Sequence, residues 1–202
     1  VPATIPLSEG FATWTASSTA AIDPFWDRAS NYSSSSYYPY VSSSYSSDGD
    51  NRSMYMYSTN SSYSYLVLPL MDAPVDTLEL TFSLMRSNTS YTHDIQVGIM
   101  TDPEDISTFR QVGTASPAAT LYEWQRSCFT FRGMPDGRIA LVSPNGVYSY
   151  PYLDQIEVNY FNPCMRPVGL NATSITQSSA RLTWNDTAAT DFEYEYGPVG
   201  FV

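Results

Sequence analysis

The sequence contains few of the residues on which catalysis, metal binding through nitrogen or sulfur, and binding to polyanions depend. It has one histidine, two cysteines and nine basic residues, all of them arginine, and its net charge is −11. An acidic chain without a basic patch repels phosphate backbones and anionic lipid surfaces, so nucleic acid and such membranes are excluded as expected partners. Cys128 and Cys164 belong to no CxxC pair, which argues against zinc. The two cysteines are either free thiols or a disulfide that ties a strand to the following linker.

Long apolar runs and catalytic motifs are also missing. No run approaches the roughly 18 apolar residues that a membrane-spanning helix needs. If the protein is exported, its signal peptide has been removed, because the first residues lack a basic and an apolar segment. There is no G-x-S-x-G elbow and no glycine-rich phosphate loop, and we interpret His93 as a solvent-exposed loop residue. We therefore expect no enzymatic activity.

Short segments with period-two alternation of apolar and polar residues replace the missing helical pattern. They lie at 53–58, 77–85, 94–100, 124–131, 138–143 and 152–158. Turn sequences rich in Gly, Pro, Asn, Asp and Ser separate them, and this arrangement predicts an antiparallel β-sandwich. The segment 101–109 predicts a single helical turn, with Asp102 as its N-cap and Pro103 at its first position.

Tyrosine is abundant, with 17 residues, and residues 31–65 consist largely of serine and tyrosine. This composition is typical of disorder, but tyrosine rings carry apolar area that packs at a low entropic cost. We predict a long ordered loop over the sandwich, followed by a strand. Tyrosines at the surface can bind sugars or proteins, or they can simply fill the ends of the sandwich. The candidate ligand-binding residues are Tyr37, Tyr38, Tyr40 and Tyr45.

The strand pattern breaks near residue 162, and a second unit spans residues 163–202. It contains the segments "PVGLNA" (167–172), "SARLTW" (179–184) and "FEYEYGPVGF" (192–201), each of which predicts a strand. These segments resemble the opening of a fibronectin type III domain, as found in surface proteins of Bacteroidetes. The resemblance implies an incomplete immunoglobulin-like β-sandwich. Because three strands leave an open apolar face, we expect the natural chain to continue past Val202.

Residues 1–162 resemble jelly-roll modules of the MAM-like and choice-of-anchor J, or cleaved-adhesin, kind. The matching segments are "SEGF" (8–11), "GDNRSMYMYS" (49–58), "YLVLPLMDAPVDTLELTF" (65–82), "VGIMTDPEDISTFRQVG" (97–113), "GRIAL" (137–141) and "YLDQIEV" (152–158). The resemblance implies a jelly-roll β-sandwich from a bacterial adhesin or from an accessory domain of a secreted protease. Such modules are related in shape to carbohydrate-binding modules.

Asp154 stands in an alternating strand where, on a period of two, it shares a face with Ile156 and Val158. A carboxylate facing a core must be paired, hydrogen-bonded or coordinated. The resemblance implies a structural Ca²⁺ that is held by Glu9, Asp154 and the loop 48–51, with Asp50 as its loop ligand. The other interpretation is that Asp154 accepts hydrogen bonds from backbone N–H groups or a tyrosine hydroxyl at the mouth of the strand.

The sequence thus predicts a secreted or cell-surface module that binds a carbohydrate or protein without catalysis. The alternative is a structural spacer, or an accessory domain of a larger secreted hydrolase or protease. The chain also contains N-x-S/T sequons at Asn31, Asn51, Asn60, Asn88, Asn171 and Asn185. Given the bacterial resemblance, we interpret these sequons as chance occurrences in a chain rich in serine and threonine.

Overall fold

The computed structural model describes residues 2–32, 37–144, 146–161 and 168–185, with the backbone alone for 168–170 and 185. These residues form short strands joined by turns and by two single-turn 3₁₀ helices, Val75–Thr77 and Ile106–Thr108. The strands are β1 (Leu7–Glu9), β2 (Asp27–Ser30), β3 (Tyr40–Ser42), β4 (Ser53–Tyr55), β5 (Ser64–Val67), β6 (Leu78–Met85), β7 (Ile95–Met100), β8 (Arg110–Ala115), β9 (Gln125–Thr130), β10 (Arg138–Ser143), β11 (Tyr152–Tyr160), β12 (Val168–Thr173) and β13 (Arg181–Asn185).

Two antiparallel sheets pack face to face. The six-stranded sheet has the order β3-β4-β11-β6-β9, and β1 also pairs with β11. The five-stranded sheet has the order β2-β5-β10-β7-β8. Neighbouring strands in each sheet are mostly distant in sequence, as expected when a chain crosses repeatedly between two layers. The predicted all-β sandwich is confirmed.

The core between the sheets follows the alternation in the sequence. In β6, Leu80, Phe82 and Leu84 are fully buried and point into the sandwich. They pack in one cluster with apolar side chains of the other sheet, including Ile139 and Leu141. The two methionines of the "SMYMYS" segment are also buried in this cluster, so the tyrosines between them face outward.

The prediction for residues 31–65, a long ordered loop followed by a strand, was partly wrong. β4 (Ser53–Tyr55) lies in the predicted strand segment 53–58, but the predicted loop contains β3, which forms the edge of the six-stranded sheet beside β4, and β5 begins at Ser64. Val41 and Met54 point into the core while tyrosines occupy the outward positions. A strand whose outer face is tyrosine and whose flanks are serine lacks the apolar-polar contrast by which strands are recognised in a sequence.

The predicted helical turn exists, but its capping residue was predicted wrongly. The 3₁₀ helix Ile106–Thr108 has Asp105 as its N-cap, and the Asp105 carboxylate accepts a hydrogen bond from Ser107 N at 2.9 Å. Asp102 instead accepts from Glu104 N in the preceding turn. The turn therefore begins three residues later than Asp102 implied.

The second unit is represented by β12 and β13, which form a separate antiparallel pair. The third predicted strand and the segment 162–167, which contains the predicted boundary and Cys164, lie outside the described residues. The disulfide between Cys128 and Cys164 therefore stays a prediction. Within the described parts of the chain, no helix is long and apolar enough to cross a bilayer.

Candidate functional site

Tyrosines cover one end of the outer face of the six-stranded sheet. Residues two apart in a strand share a face, so Tyr55 and Tyr57 stand together, as do Tyr150 and Tyr152. Tyr55 pairs with Tyr152 across β4 and β11, and Met56 N donates to Pro151 O, which places Tyr57 beside Tyr150. The rings of two neighbouring strand segments therefore meet in register.

The first row of rings crosses the sheet from β3 to a distant loop. Tyr40 contacts Tyr55 with ring centroids 5.3 Å apart, and Tyr55 contacts Tyr152 at 4.9 Å. Tyr45, from the β3–β4 connection, packs on Tyr152 at 4.8 Å. Tyr122, from the β8–β9 connection, closes the row at 5.6 Å from Tyr45.

The second row runs beside the first. Its ring centroids are 4.6 Å apart for Tyr37 and Tyr57, and 5.0 Å apart for Tyr57 and Tyr150. Tyr32, which contacts Tyr37, completes the row at one end, and the loop residues Tyr91 and Tyr148 complete it at the other. The tyrosine face, as we name both rows together, consists of Tyr32, Tyr37, Tyr40, Tyr45, Tyr55, Tyr57, Tyr91, Tyr122, Tyr148, Tyr150 and Tyr152.

Three interior hydroxyls of the tyrosine face stay protonated at neutral pH. Burial, and secondarily the neighbouring tyrosines, raises the pKa of Tyr152 to about 12. The same causes raise the pKa of Tyr55 and of Tyr150 far above the ordinary value. Each of these three hydroxyls can therefore both donate and accept a hydrogen bond, and none of the three is charged.

Three of the four predicted ligand-binding tyrosines, Tyr37, Tyr40 and Tyr45, belong to the tyrosine face. Tyr38 does not belong to it. The Tyr38 hydroxyl interacts electrostatically with Arg28 and Tyr65, which lie on the five-stranded sheet.

Most of the tyrosine face was not predicted from the sequence, although one signal was available. Residues 148–152 read Tyr-Ser-Tyr-Pro-Tyr, which places three tyrosines on one face by simple alternation. The "MYMY" segment gives the same pattern in β4 and just beyond it. No pattern of this kind could have found Tyr91 or Tyr122, which reach the face from loops.

Asp154 lies between the part of β11 that pairs with β4 and the part that pairs with β1. β4 pairs with β11 at Tyr152 and Leu153, and β1 pairs with it from Ile156 to Val158. Between them β11 has a bulge, with Gln155 at φ 47°. The bulge shifts the alternation, so Leu153, Ile156 and Val158 all enter the core. The prediction of one unbroken face from Asp154 to Val158 was wrong, although Asp154 is fully buried.

Backbone and serine donors fill the gap beside the Asp154 carboxylate. Its Oδ2 accepts from Ser47 N at 2.6 Å and from Ser47 Oγ at 2.9 Å, and its Oδ1 accepts from Gln155 N at 2.7 Å. These bonds attach the β3–β4 connection to the last strand of the sandwich. Burial nevertheless raises the pKa of Asp154, and the nearby Asp48 contributes to that rise.

Glu9 lies at the end of β1, opposite Ile156 of β11. Its Oε1 accepts from Phe11 N at 2.5 Å, and its Oε2 accepts from Trp14 Nε1 at 3.1 Å. Burial raises the pKa of Glu9, and the charges of Asp23 and Asp154 add to the rise. The structure thus brings Glu9 and Asp154 into one electrostatic neighbourhood, as the resemblance implied.

Gly10 leaves open space between carboxylates. A Cβ at this position would lie 3.4 Å from Asp48 Oδ2 and 3.9 Å from Asp154 Oδ1. We name Glu9, Asp48 and Asp154 the acidic cluster. Asp50, the predicted loop ligand, directs its Oδ1 to Arg52 N at 2.7 Å. Its Oδ2 is buried and has no hydrogen-bond partner among the described residues.

The acidic cluster has the chemistry of a hard-cation site. Carboxylate and backbone oxygens are the donors that Ca²⁺ prefers, and burial, with a smaller contribution from neighbouring carboxylates, raises the pKa of Glu9 and Asp154. Among the described residues, no group of three or more Asp, Glu, His or Cys side chains is arranged so that it could hold a metal ion. A cation here would therefore also need backbone carbonyls or water as ligands.

His93 was predicted to be exposed, and this was wrong: the residue is fully buried. Its Nδ1 accepts from Tyr150 N at 3.1 Å, and its Nε2 lies 3.1 Å from Asn88 Oδ1. A ring that accepts at Nδ1 donates at Nε2, so the imidazole is neutral. Burial lowers the pKa of His93. The histidine joins the loop before β7 to the loop before β11.

No protein-family model and no curated protein sequence matches this chain. Solved structures do match it. The K1 cleaved adhesin domain of Lys-gingipain from Porphyromonas gingivalis W83 is 16% identical, covers 78% of this chain and 99% of its own, and has a TM-score of 0.52. The K3 cleaved adhesin domain is 13% identical, covers 76% of this chain and 97% of its own, and has a TM-score of 0.55. The CBM22-1 xylan-binding domain of Paenibacillus barcinonensis Xyn10C is 12% identical, covers 79% of this chain and 97% of its own, and has a TM-score of 0.52.

These similarities define the class of fold: a jelly-roll β-sandwich like those of adhesin and carbohydrate-binding modules. The resemblance to cleaved-adhesin modules is confirmed at the level of the fold. The MAM and choice-of-anchor J labels stay predictions, and so does the fibronectin type III identity of the second unit.

Proposed function

We propose that this chain is an extracellular recognition module that binds an uncharged glycan on its tyrosine face and carries out no catalysis. The observation that supports the proposal is the two-row array of neutral tyrosines on a β-sandwich. Aromatic rings offer apolar area for the C–H face of a sugar, and their hydroxyls bond to sugar hydroxyls. Cleaved adhesin domains and a xylan-binding domain share the fold, which supports a binding role.

The net charge of the chain favours an uncharged ligand. At −11 the protein repels acidic polysaccharides at long range, and the tyrosine face carries no cation to hold one. A neutral chain of sugars meets no such barrier. The ligand class that fits best is therefore a neutral polysaccharide such as a xylan, a glucan or a mannan.

The test measures binding and maps where the ligand lies. Isothermal titration against soluble xylan, mixed-linkage glucan and mannan finds whether any binds. Chemical nitration of tyrosines, read by mass spectrometry with and without the bound polysaccharide, then locates the contact. We expect the ligand to protect exposed members of the tyrosine face and to leave Tyr160 reactive. Tyr160 is a matched control because it is 56% exposed and lies outside the tyrosine face.

Two outcomes would contradict the proposal. One is that none of the three polysaccharides binds, which would favour the alternative of a spacer or an accessory domain of a larger secreted hydrolase or protease. The other is binding that protects Tyr160 as strongly as the tyrosine face. If a protein ligand binds to the tyrosine face and no polysaccharide does, the module is an adhesin for protein.

We further propose that the acidic cluster and the loop of Asp50 bind a structural Ca²⁺. Glu9, Asp154 and Asp50 would provide carboxylate oxygens, and the cation would compensate the charge of Glu9 and Asp154, whose pKa is raised mainly by burial and also by neighbouring carboxylates. It would connect β1, β11 and the β3–β4 connection, which meet at this point. Support comes from the open space at Gly10 and from the unpartnered Asp50 Oδ2.

Thermal unfolding with Ca²⁺ and with a chelator tests this proposal. A cation at 100 times its Kd adds about 2.7 kcal/mol to the free energy of unfolding, which is about 5–10 °C in Tm for a chain of this size. We expect Asp154→Asn to abolish the difference and Asp136→Asn, an exposed turn residue, to preserve it. Identical melting curves with Ca²⁺ and chelator for the unchanged protein would exclude the site.

A further inference from the structure

The interior rings of the tyrosine face are poorly placed to stack on a ligand. Neighbouring centroids are about 5 Å apart, for example 4.9 Å for Tyr55 and Tyr152 and 5.0 Å for Tyr57 and Tyr150. At this spacing each interior ring is flanked on both sides by other rings. A sugar that stacks on an aromatic residue needs an uncovered ring face, and the most exposed rings of the tyrosine face, Tyr32, Tyr91, Tyr122 and Tyr148, lie at the ends of its rows.

Tyr91 and Tyr148 form such an end. Tyr91 lies on the loop between β6 and β7, Tyr148 lies on the loop between β10 and β11, and each is 39% exposed. Their centroids are 5.2 Å apart, and the ring planes are inclined by only 33°. At this separation and inclination the two rings overlap in an offset stack instead of lying side by side, and Tyr150 meets Tyr91 at 89°. We name Tyr91 and Tyr148 the platform, because the two rings support each other, whereas Tyr122 packs at the end of the first row on Tyr45 at 5.6 Å.

His93 holds these two loops together beneath the platform. It sits two residues after Tyr91 and bonds to the backbone N–H of Tyr150, two residues after Tyr148. Its other nitrogen bonds to Asn88, whose Oδ1 also accepts from Ser90 N at the base of the Tyr91 loop. Tyr91 and Tyr150 contact the imidazole ring itself, at 6.2 and 6.1 Å between centroids.

Protonation of His93 is incompatible with this arrangement. A protonated Nδ1 would carry a hydrogen that points at the Tyr150 N–H, so a hydrogen bond would become a contact between two donors. The charged groups that act on the ring are Arg86, which disfavours the added positive charge, and Asp94, which favours it, whereas the Asn88 side chain carries no charge. Because the ring is fully buried, water cannot take over the lost bond without separating the loops.

We propose that Tyr91 and Tyr148 form the stacking subsite for one neutral sugar ring, and that His93 is a positioning residue that makes the affinity fall in acid. The inference rests on the proposed function, because it locates the glycan contact within the tyrosine face. It adds that the interior rows mainly support the platform. Acid opens the His93 connection, separates Tyr91 from Tyr148 and weakens binding, whereas unfolding of the sandwich is not required.

The experiment titrates the whole chain with xylohexaose and with mannohexaose at pH 7 and pH 5. We expect Tyr91→Ala and Tyr148→Ala each to weaken binding about tenfold or more at pH 7, and Tyr122→Ala to change it less than about threefold. The unchanged protein should lose about tenfold in affinity between pH 7 and pH 5. His93→Gln, whose side-chain oxygen can accept from Tyr150 N without titrating, should bind comparably at both pH values. Near-ultraviolet circular dichroism verifies that each variant is folded.

The outcomes separate this inference from the proposed function. If neither oligosaccharide nor any of the three polysaccharides binds the unchanged protein, the proposed function fails and the subsite fails with it. If the unchanged protein binds but Tyr91→Ala and Tyr148→Ala bind equally well, the subsite is wrong and the proposed function stands. A loss of affinity in acid that persists in folded His93→Gln would remove His93 from the account.

Discussion

Replacing Tyr55 with alanine tests whether the interior of the tyrosine face stabilises the fold. The Tyr55 ring has two ring neighbours, Tyr40 at 5.3 Å and Tyr152 at 4.9 Å. An aromatic pair contributes about 0.5–1.5 kcal/mol beyond the area that it buries, so losing two pairs costs about 1–3 kcal/mol. The lost burial of a partly covered ring adds roughly 1 kcal/mol. We expect a decrease of about 2–4 kcal/mol in the free energy of unfolding.

The assay is urea denaturation of the unchanged chain, Tyr55→Ala, Tyr152→Ala and the double variant. Because the two rings touch across β4 and β11, the double-mutant cycle should give a coupling of about 1 kcal/mol. Tyr160→Ala is the control: its side chain is 56% exposed at the end of β11, and its loss should cost less than about 0.5 kcal/mol. A coupling of zero, or an effect of Tyr55→Ala no larger than that of Tyr160→Ala, would refute the reasoning.

Three further predictions concern the acidic cluster and the core. Burial and like charge raise the pKa of Glu9 and Asp154 in the folded state, so without Ca²⁺ the folded protein binds more protons than the unfolded chain just above their ordinary pKa values. The buried His93 contributes in the opposite direction, because its lowered pKa adds stability as the pH rises. In chelator the stability of His93→Gln should therefore be greatest in mild acid and fall as the pH rises through the raised values of the two carboxyls, and saturating Ca²⁺ should remove the decline. A denaturation series of His93→Gln from pH 4.5 to 8 checks this, and stability of that variant that rises with pH in chelator would contradict it. Gly10→Ala places its Cβ at ordinary contact distance from two carboxylates, so calorimetry should find weaker Ca²⁺ binding while Tm in chelator stays nearly unchanged; unchanged Ca²⁺ affinity would place the cation elsewhere. Phe82→Ala removes a fully buried ring stacked at 6.1 Å on Phe129 and should lower the free energy of unfolding by about 3–5 kcal/mol in the same urea assay, and a loss below 1 kcal/mol would contradict the packing of the core.

Much of the central sandwich could be predicted because its strands carry a local signal. In β6, four apolar side chains alternate with polar ones, and the structure buries Leu78, Leu80, Phe82 and Leu84 together. The predicted segment 138–143 corresponds to β10 without a shift. The short edge strands escaped prediction because three or four residues of tyrosine and serine, as in β3, contain no periodic contrast.

The candidate site could be predicted only in part. The resemblance placed Glu9 beside Asp154, and their electrostatic coupling agrees with that placement. The face of Asp154 could not be predicted, because the bulge at Gln155 depends on β1 replacing β4 as the neighbour of β11. The burial of His93 was also beyond the sequence, since the groups that cover it and bond to it include Tyr150, more than fifty residues away along the chain.

The sequence by itself determined the all-β fold, the net negative charge and the abundance of tyrosine. Alternation and composition are local properties, and they fix which residues share a side of a regular strand. Only the tertiary structure decided which tyrosines meet. Tyr91, Tyr122 and Tyr148 reach the same surface through three separate loops, because the chain crosses between the two sheets and returns to one end of the sandwich. Contacts of this kind depend on the paths of the loops, which no local pattern encodes.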